Sequence, residues 1–138
     1  MLETGATLPA VTLADDSGSE LSTHDLLGKH LILYFYPKDD TPGCTNEATQ
    51  FADSVETFAG KDAQIVGVSR DSVASHREFK AKYGIPFRLL ADVDSVLYDA
   101  CSVGVARCTF LFDPVGKLVK VWPKVRVAGH AEDVLSEL

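Results

Sequence analysis

Runs of apolar residues alternate with polar, helix-forming stretches along most of the chain. His30-Leu31-Ile32-Leu33-Tyr34-Phe35-Tyr36 is a short apolar and aromatic run, the pattern of a strand buried on both faces. Before it, Val11 to Ala14 and Glu20 to Ser22 flank the turn residues Asp15-Asp16-Ser17-Gly18-Ser19, so a hairpin opens the chain. A short helix is predicted around Asp25 to Gly28. A longer one runs from about Gly43 to Ala59, with Ala48, Phe51, Ala52, Val55 and Phe58 on its apolar face. Gln64 to Ser69 reads as a strand, and Ser72 to Tyr83 as a helix closed by Gly84 with Pro86 beyond. Phe87 to Ala91 is a further strand, Ser95 to Cys101 a helix and Cys108 to Asp113 a strand. Leu118 to Val125 pairs with that strand across Asp113-Pro114-Val115-Gly116, and His130 to Leu138 is a closing helix.

Strands that alternate with helices and end in a hairpin define an α/β domain with a mixed sheet and helices on both faces. The 138 residues, 46% of them hydrophobic, suit a single domain spanning 1–138, with no repeat, linker or low-complexity segment. No stretch approaches the roughly 18 apolar residues of a membrane span, and Met1-Leu2-Glu3-Thr4-Gly5 lacks the regions of a signal peptide. A cytoplasmic protein is expected. Twenty acidic residues against 13 basic give a net charge of −7, which disfavours nucleic acid or an anionic membrane as partner.

The three cysteines, Cys44, Cys101 and Cys108, show no Cys-x-x-Cys spacing, so neither a disulfide framework nor a metal set is indicated. The histidines, His24, His30, His76 and His130, form no zinc-binding motif and read as surface or cap positions; neither metal nor cofactor is expected. Cys44 is different. Thr41 stands as N-cap and Pro42 at the first helical position, which places Cys44 in the first turn, where free N–H groups and the dipole favour a thiolate. Its acidic neighbours Asp39, Asp40 and Glu47 outnumber Lys38, itself read as a solvated charge. A reactive thiolate therefore needs a cation from elsewhere in the fold.

The segment Phe35-Tyr36-Pro37-Lys38-Asp39-Asp40-Thr41-Pro42-Gly43-Cys44-Thr45 resembles the active-site segment of the peroxiredoxins, specifically the peroxiredoxin Q or bacterioferritin-comigratory group. The resemblance continues through Pro86-Phe87-Arg88-Leu89-Leu90-Ala91-Asp92, Arg107-Cys108-Thr109-Phe110-Leu111-Phe112-Asp113 and Val127-Ala128-Gly129-His130-Ala131-Glu132-Asp133-Val134-Leu135. It implies a thioredoxin-like fold and thiol-dependent reduction of hydrogen peroxide and organic hydroperoxides. By the same resemblance Cys44 is the peroxidatic nucleophile, Thr41 hydrogen-bonds the peroxide, Pro37 shields the site, Arg107 is the missing cation and Glu47 orients it. Taken as residues alone, Thr41 is simply a good N-cap and Glu47 simply suits a helix start. The chemistry fits the implied roles. Attack on an O–O bond builds charge on the departing oxygen, which an arginine fork and a hydroxyl donor stabilise, while a proline ring excludes water without adding a donor. The enzyme product is a sulfenic acid.

The chain departs from the family in its resolving cysteine. Many members carry one five residues after the nucleophile, where Thr49 stands here, and others carry it in the following helix, around Lys80. Cys108 alternates with Arg107 along a strand and should point away from it into the core. Cys101 is less constrained, but a disulfide needs Cα atoms within about 7 Å and so local unwinding of the Cys44 helix. The leading expectation is one-cysteine turnover, with glutathione, glutaredoxin or thioredoxin as external reductant. A sensor oxidised once at Cys44 is the alternative. A thioredoxin-type oxidoreductase is weakened by threonine at position 41. The resemblance favours a monomer, and a short segment between Cys101 and Arg107 suggests an open rim.

Overall fold

The structure, a computed structural model, describes residues 1–138. Its strands are β1 (Thr12–Asp15), β2 (Glu20–Ser22), β3 (His30–Phe35), β4 (Ala63–Ser69), β5 (Arg88–Ala91), β6 (Cys108–Phe112) and β7 (Leu118–Trp122). They form one sheet in the order β2-β1-β5-β4-β3-β6-β7. The central strands β3, β4 and β5 run parallel, and the outer pairings are antiparallel. The helices are α1 (Pro42–Asp53), α2 (Val55–Gly60), α3 (Val73–Tyr83), α4 (Val96–Ala100) and α5 (His130–Leu135). This is the expected mixed sheet with helices on both faces, a thioredoxin-like arrangement, and no helix is long and apolar enough to cross a membrane.

The apolar run of β3 is paired on both edges, by β4 and β6, and a core layer covers each of its faces. Alternation then sorts its side chains. Leu31, Leu33 and Phe35 enter one core layer with Val66, Val68, Leu90, Phe110 and Phe112, closed by Leu97 and Tyr98 of α4 and the N-terminal Leu8 and Val11. Ile32, Tyr34 and Tyr36 enter the other, beneath Phe51 of α1, Phe58 of α2, Phe79 of α3 and Val134 of α5. Phe51 and Phe58 are fully buried and each contributes on the order of 2–3 kcal/mol to anchoring its helix.

The structure corrects several boundaries. The helix expected over Gly43 to Ala59 is two helices that break at Ser54, whose backbone (φ −106°, ψ 1°) leaves the helical region and whose N–H donates to Phe51 O. Asp53 and Ser54 are weak helix formers followed by β-branched Val55, so the break falls where propensity is lowest. β7 ends at Trp122 rather than Val125, because Pro123 has no N–H to extend a ladder. α5 ends at Leu135, where the Ser136 hydroxyl turns back onto Asp133 O. The short helix expected at Asp25 to Gly28 is a 3-10 turn over Thr23–Leu26, with a Ser22–Asp25 capping box. The first hairpin also joins the main sheet, through β1 and β5.

Candidate active site

The chain leaves β3 at Tyr36 and turns through Pro37–Thr41 into α1. Asp40 adopts a left-handed conformation (φ 56°), and its carboxylate accepts from Lys82 Nζ at 2.8 Å and from the Tyr83 hydroxyl. Thr41 is the N-cap and Pro42 the first helical residue, as expected, but the Thr41 side chain makes no capping bond. Its Oγ1 donates instead to Lys38 O at 2.9 Å. With its proton committed there, the hydroxyl presents lone pairs as an acceptor, and not the donor that the sequence reading expects. Cys44 follows in the first turn, buried, while Pro37 and Lys38 are exposed at the rim.

Arg107 precedes β6 and shares the side-chain parity of Thr109 and Leu111, which aims it at the α1 face of the sheet. One guanidinium bridges two groups of α1: Nη2 donates to Cys44 Sγ at 3.5 Å and Nη1 to Glu47 Oε1 at 2.8 Å. Cys44 and Glu47 are three residues apart and so share a helix face. Gly43 makes room for the fork, since a Cβ there would lie 3.0 Å from Nη2. Burial raises Glu47 to about 7 against the pull of Arg107. Burial works against the charge on Arg107, but Glu47 and then Cys44 raise it above the ordinary arginine range. The partners respond differently because the Glu47 side chain is 1% exposed and that of Arg107 16%. The acidic neighbours of Cys44 are thus all engaged: Glu47 with Arg107, Asp40 with Lys82, Asp39 with His76.

Polar groups that the sequence reading missed lie around this centre. The Tyr34 hydroxyl and Glu47 Oε2 are buried and have no hydrogen-bond partner within the protein. Tyr34 lies against Gly67, where a Cβ would approach its hydroxyl to 3.0 Å, and burial, then Glu47 and Cys44, hold its phenol well above the usual range. His76 and His130 are buried, not surface or cap residues. His130 Nε2 meets Thr109 Oγ1 at 2.8 Å, and burial lowers the ring to about 4. His76 shares a helix face with Phe79 and Tyr83 at spacings of three and four, the one signal that could have marked it as inward-facing. Asp39, Asp71 and His76 bring ligand-type atoms within 4.8 Å of one another, but they are already joined by hydrogen bonds, His76 Nδ1 to Asp39 Oδ2 at 2.7 Å and Asp39 N to Asp71 Oδ2 at 2.8 Å.

The other two cysteines are not brought to the site. Cys101, the C-cap of α4, and Cys108, the first residue of β6, are buried in the core layer opposite Cys44, with the sheet between, and all three thiols are free. Burial pushes both far thiols up to about 12. Thr49 donates to Thr45 O, and Lys80 pairs with Asp16, so neither family position for a resolving thiol is filled. What remains is one thiol at a helix start, held by an arginine fork beside a hydroxyl acceptor and a proline rim. This arrangement suits nucleophilic attack by sulfur on an electrophile that leaves as an anion.

The sequence profile of the AhpC/TSA family matches residues 4–121. Peroxiredoxin Bcp of Bacillus subtilis is 44% identical over 149 aligned positions, which take in 99% of this chain and 95% of that protein. Since 149 exceeds the 138 residues present, that relative carries residues this chain omits. Among solved structures, a peroxiredoxin Q mutant of Xylella fastidiosa superposes with a TM-score of 0.95 at 37% identity, over 99% of this chain and 95% of that one. The bacterioferritin comigratory protein of Xanthomonas campestris, solved in trapped complexes that bear on its alkyl peroxide reduction activity, gives 0.92 at 40% identity over 98% and 96%.

Proposed function

The chain belongs to the AhpC/TSA family and is a thiol peroxidase of the peroxiredoxin Bcp or Q kind, and from that premise we propose that Cys44 is its peroxidatic nucleophile, served by Arg107, Thr41 and Pro37. The observation that carries this reading is the Arg107 fork, which touches Cys44 Sγ and Glu47 at once. Cys44 thiolate attacks the outer oxygen of ROOH, the S–O bond forms as the O–O bond breaks, and the departing RO⁻ takes up a proton to leave as ROH. Arg107 N–H groups face the charge that develops on the departing oxygen. Thr41 Oγ1, its own proton on Lys38 O, accepts the hydrogen bond of the peroxide hydroxyl. Pro37 closes the rim without adding a donor. Glu47 fixes the guanidinium plane by a charge-assisted bond.

Cys101 and Cys108 stand across the sheet, which supports resolution from outside: one small thiol condenses with the Cys44 sulfenic acid, releasing water, and a second displaces Cys44 as thiolate. Glutathione, glutaredoxin or thioredoxin fit this role, acting on a monomer of one domain in a reducing compartment such as the cytoplasm. The relatives are named as peroxiredoxins, which does not favour the single-use sensor.

One equivalent of peroxide followed by a sulfenic-acid trap and mass spectrometry tests the assignment. Adduct on Cys44 alone, with turnover restored by added thiol and abolished in Cys44→Ser, is the expected result. A Cys44–Cys101 disulfide within the monomer would overturn external resolution, and turnover retained in Cys44→Ser would overturn the nucleophile.

A further inference from the structure

The Pro37–Thr41 loop is tied to the body of the protein through Asp40, on Lys82 and Tyr83, and through Asp39, a buried carboxylate two residues after Pro37. Asp39 Oδ1 accepts from the Tyr36 hydroxyl at 2.6 Å. Its Oδ2 accepts from Ser75 Oγ at 2.8 Å and faces His76 Nδ1 at 2.7 Å. On the other edge of the ring, His76 Nε2 lies 2.9 Å from the Leu90 carbonyl of β5. His76 is 0% exposed, so no solvent completes these bonds.

The donor count constrains where hydrogen sits. A carbonyl oxygen only accepts, so Nε2 carries hydrogen. The 2.7 Å contact between Nδ1 and Oδ2 also requires one, and the hydroxyls of Tyr36 and Ser75 already converge on that carboxylate as donors. An imidazolium lets Asp39 Oδ2 accept from both Nδ1 and Ser75 Oγ, whereas a hydrogen on Asp39 would make Nδ1 the acceptor. The neighbouring titratable groups are Tyr36, 3.5 Å from Nδ1, and Asp71, which accepts from the Asp39 backbone N–H.

We infer that His76 is a positioning residue of the peroxidase site: bearing hydrogen on both ring nitrogens, it bridges Leu90 of β5 to Asp39 and so holds the Pro37–Thr41 loop in the shape that peroxide attack requires. The coupling is short. Asp39 lies between Lys38, whose carbonyl takes the Thr41 proton, and Thr41 itself. Releasing Asp39 frees Lys38 O from its register with Thr41, and the hydroxyl loses its fixed role as acceptor. His76 touches neither Cys44 nor substrate; it acts through Asp39.

The inference rests on Cys44 as peroxidatic thiol, and the wild-type trapping experiment above decides that separately. Nitrogen-15 NMR of the wild-type histidines gives the direct test: the His76 ring is expected to show two hydrogen-bearing nitrogens, and a lone-pair signal from either one overturns the proposal without recourse to any variant. In His76→Gln the second-order rate of Cys44 oxidation by hydrogen peroxide is expected to fall about 10- to 100-fold. Alkylation of Cys44 by iodoacetamide, which does not use Thr41, should hold or rise. Oxidation at the wild-type rate, or both reactions falling together, overturns the proposal. A His76→Gln/Asp39→Asn double variant should lose no more than the worse single one, and additive losses would show that the two act apart.

Discussion

The two faces of the sheet bury three cysteines almost equally, yet only Cys44 has a guanidinium against its sulfur. Cys101 and Cys108 enter a layer built from Leu31, Leu33, Phe35, Phe110 and Phe112, where burial first, and then Asp92 at Cys101 and Cys101 and Glu47 at Cys108, push each thiol up to about 12. Cys44 is 1% exposed, but it starts a helix, touches Arg107, and shares its layer with Tyr34, Glu47, Thr109 and His130. Burial by itself makes a cysteine an inert small hydrophobe. The difference comes from the parity of two strands and the position of one helix start, which place every cation and hydroxyl of the site on the Cys44 side.

The contrast breaks most sharply if the cation is removed. Arg107→Ala takes the guanidinium off Cys44 and makes its surroundings resemble those of Cys108 in lacking a positive partner. The rate of Cys44 oxidation by peroxide is expected to fall about 10²- to 10³-fold, read by stopped-flow competition against a second peroxidase. Arg107→Lys should recover only part of the loss, since a point charge cannot bridge Cys44 and Glu47 as the fork does. An Arg107→Ala enzyme that keeps its wild-type rate would place the source of reactivity in the helix start alone.

The opposite face should respond in stability and not in rate. Cys108→Ser sets a hydroxyl among Phe35, Phe110 and Phe112 with no assigned partner, at an expected cost of about 1–3 kcal/mol in urea unfolding. Cys101→Ser behaves alike, and both should turn over peroxide with external thiol at the wild-type rate. A loss of turnover in Cys101→Ser at unchanged stability would return that residue to the resolving step and undo the division between the faces.

The sequence carried most of the fold because its strongest patterns are local. The seven apolar and aromatic residues from His30 to Tyr36, the turn at Asp15–Ser19 and the Gly84–Pro86 stop each declare an element within a few positions. The helix start at Thr41–Pro42 was local in the same way, so Cys44 stood out from the residues alone. Arg107 did not. It lies 63 positions from Cys44, and an isolated arginine before a strand looks like any other until the sheet brings it across; only the family resemblance implied it. His76 was misread because its neighbours Ser75, Arg77 and Glu78 are polar, and its buried partners, Asp39 and Leu90, belong to other elements. The break at Ser54 was missed because the apolar spacing runs through it unbroken.

The last expected effect is one of pH, and it probes the Cys44 face by titration, with wild-type stability nearly unchanged. Burial raises Glu47 from the ordinary 4.5 to about 7, so the folded state holds that proton more tightly than the unfolded chain. Its contribution is full below about 4.5 and is lost as pH rises through about 7. Burial lowers His130 from 6.5 to about 4, which reverses the sign: its contribution is full above about 6.5 and is lost as pH falls through about 4. Between roughly pH 4.5 and 6.5 the two slopes, each about 1.4 kcal/mol per pH unit, oppose one another, and wild-type stability should be nearly flat. Glu47→Gln removes one slope, so the variant should gain stability as pH rises across that window. His130→Gln removes the other and should lose stability over the same range. Denaturant midpoints measured at half-unit pH steps check both. Variants that stay as flat as the wild type would mean that neither ionisation on the Cys44 face differs between folded and unfolded chain. That result would leave the faces distinguished by Arg107 alone.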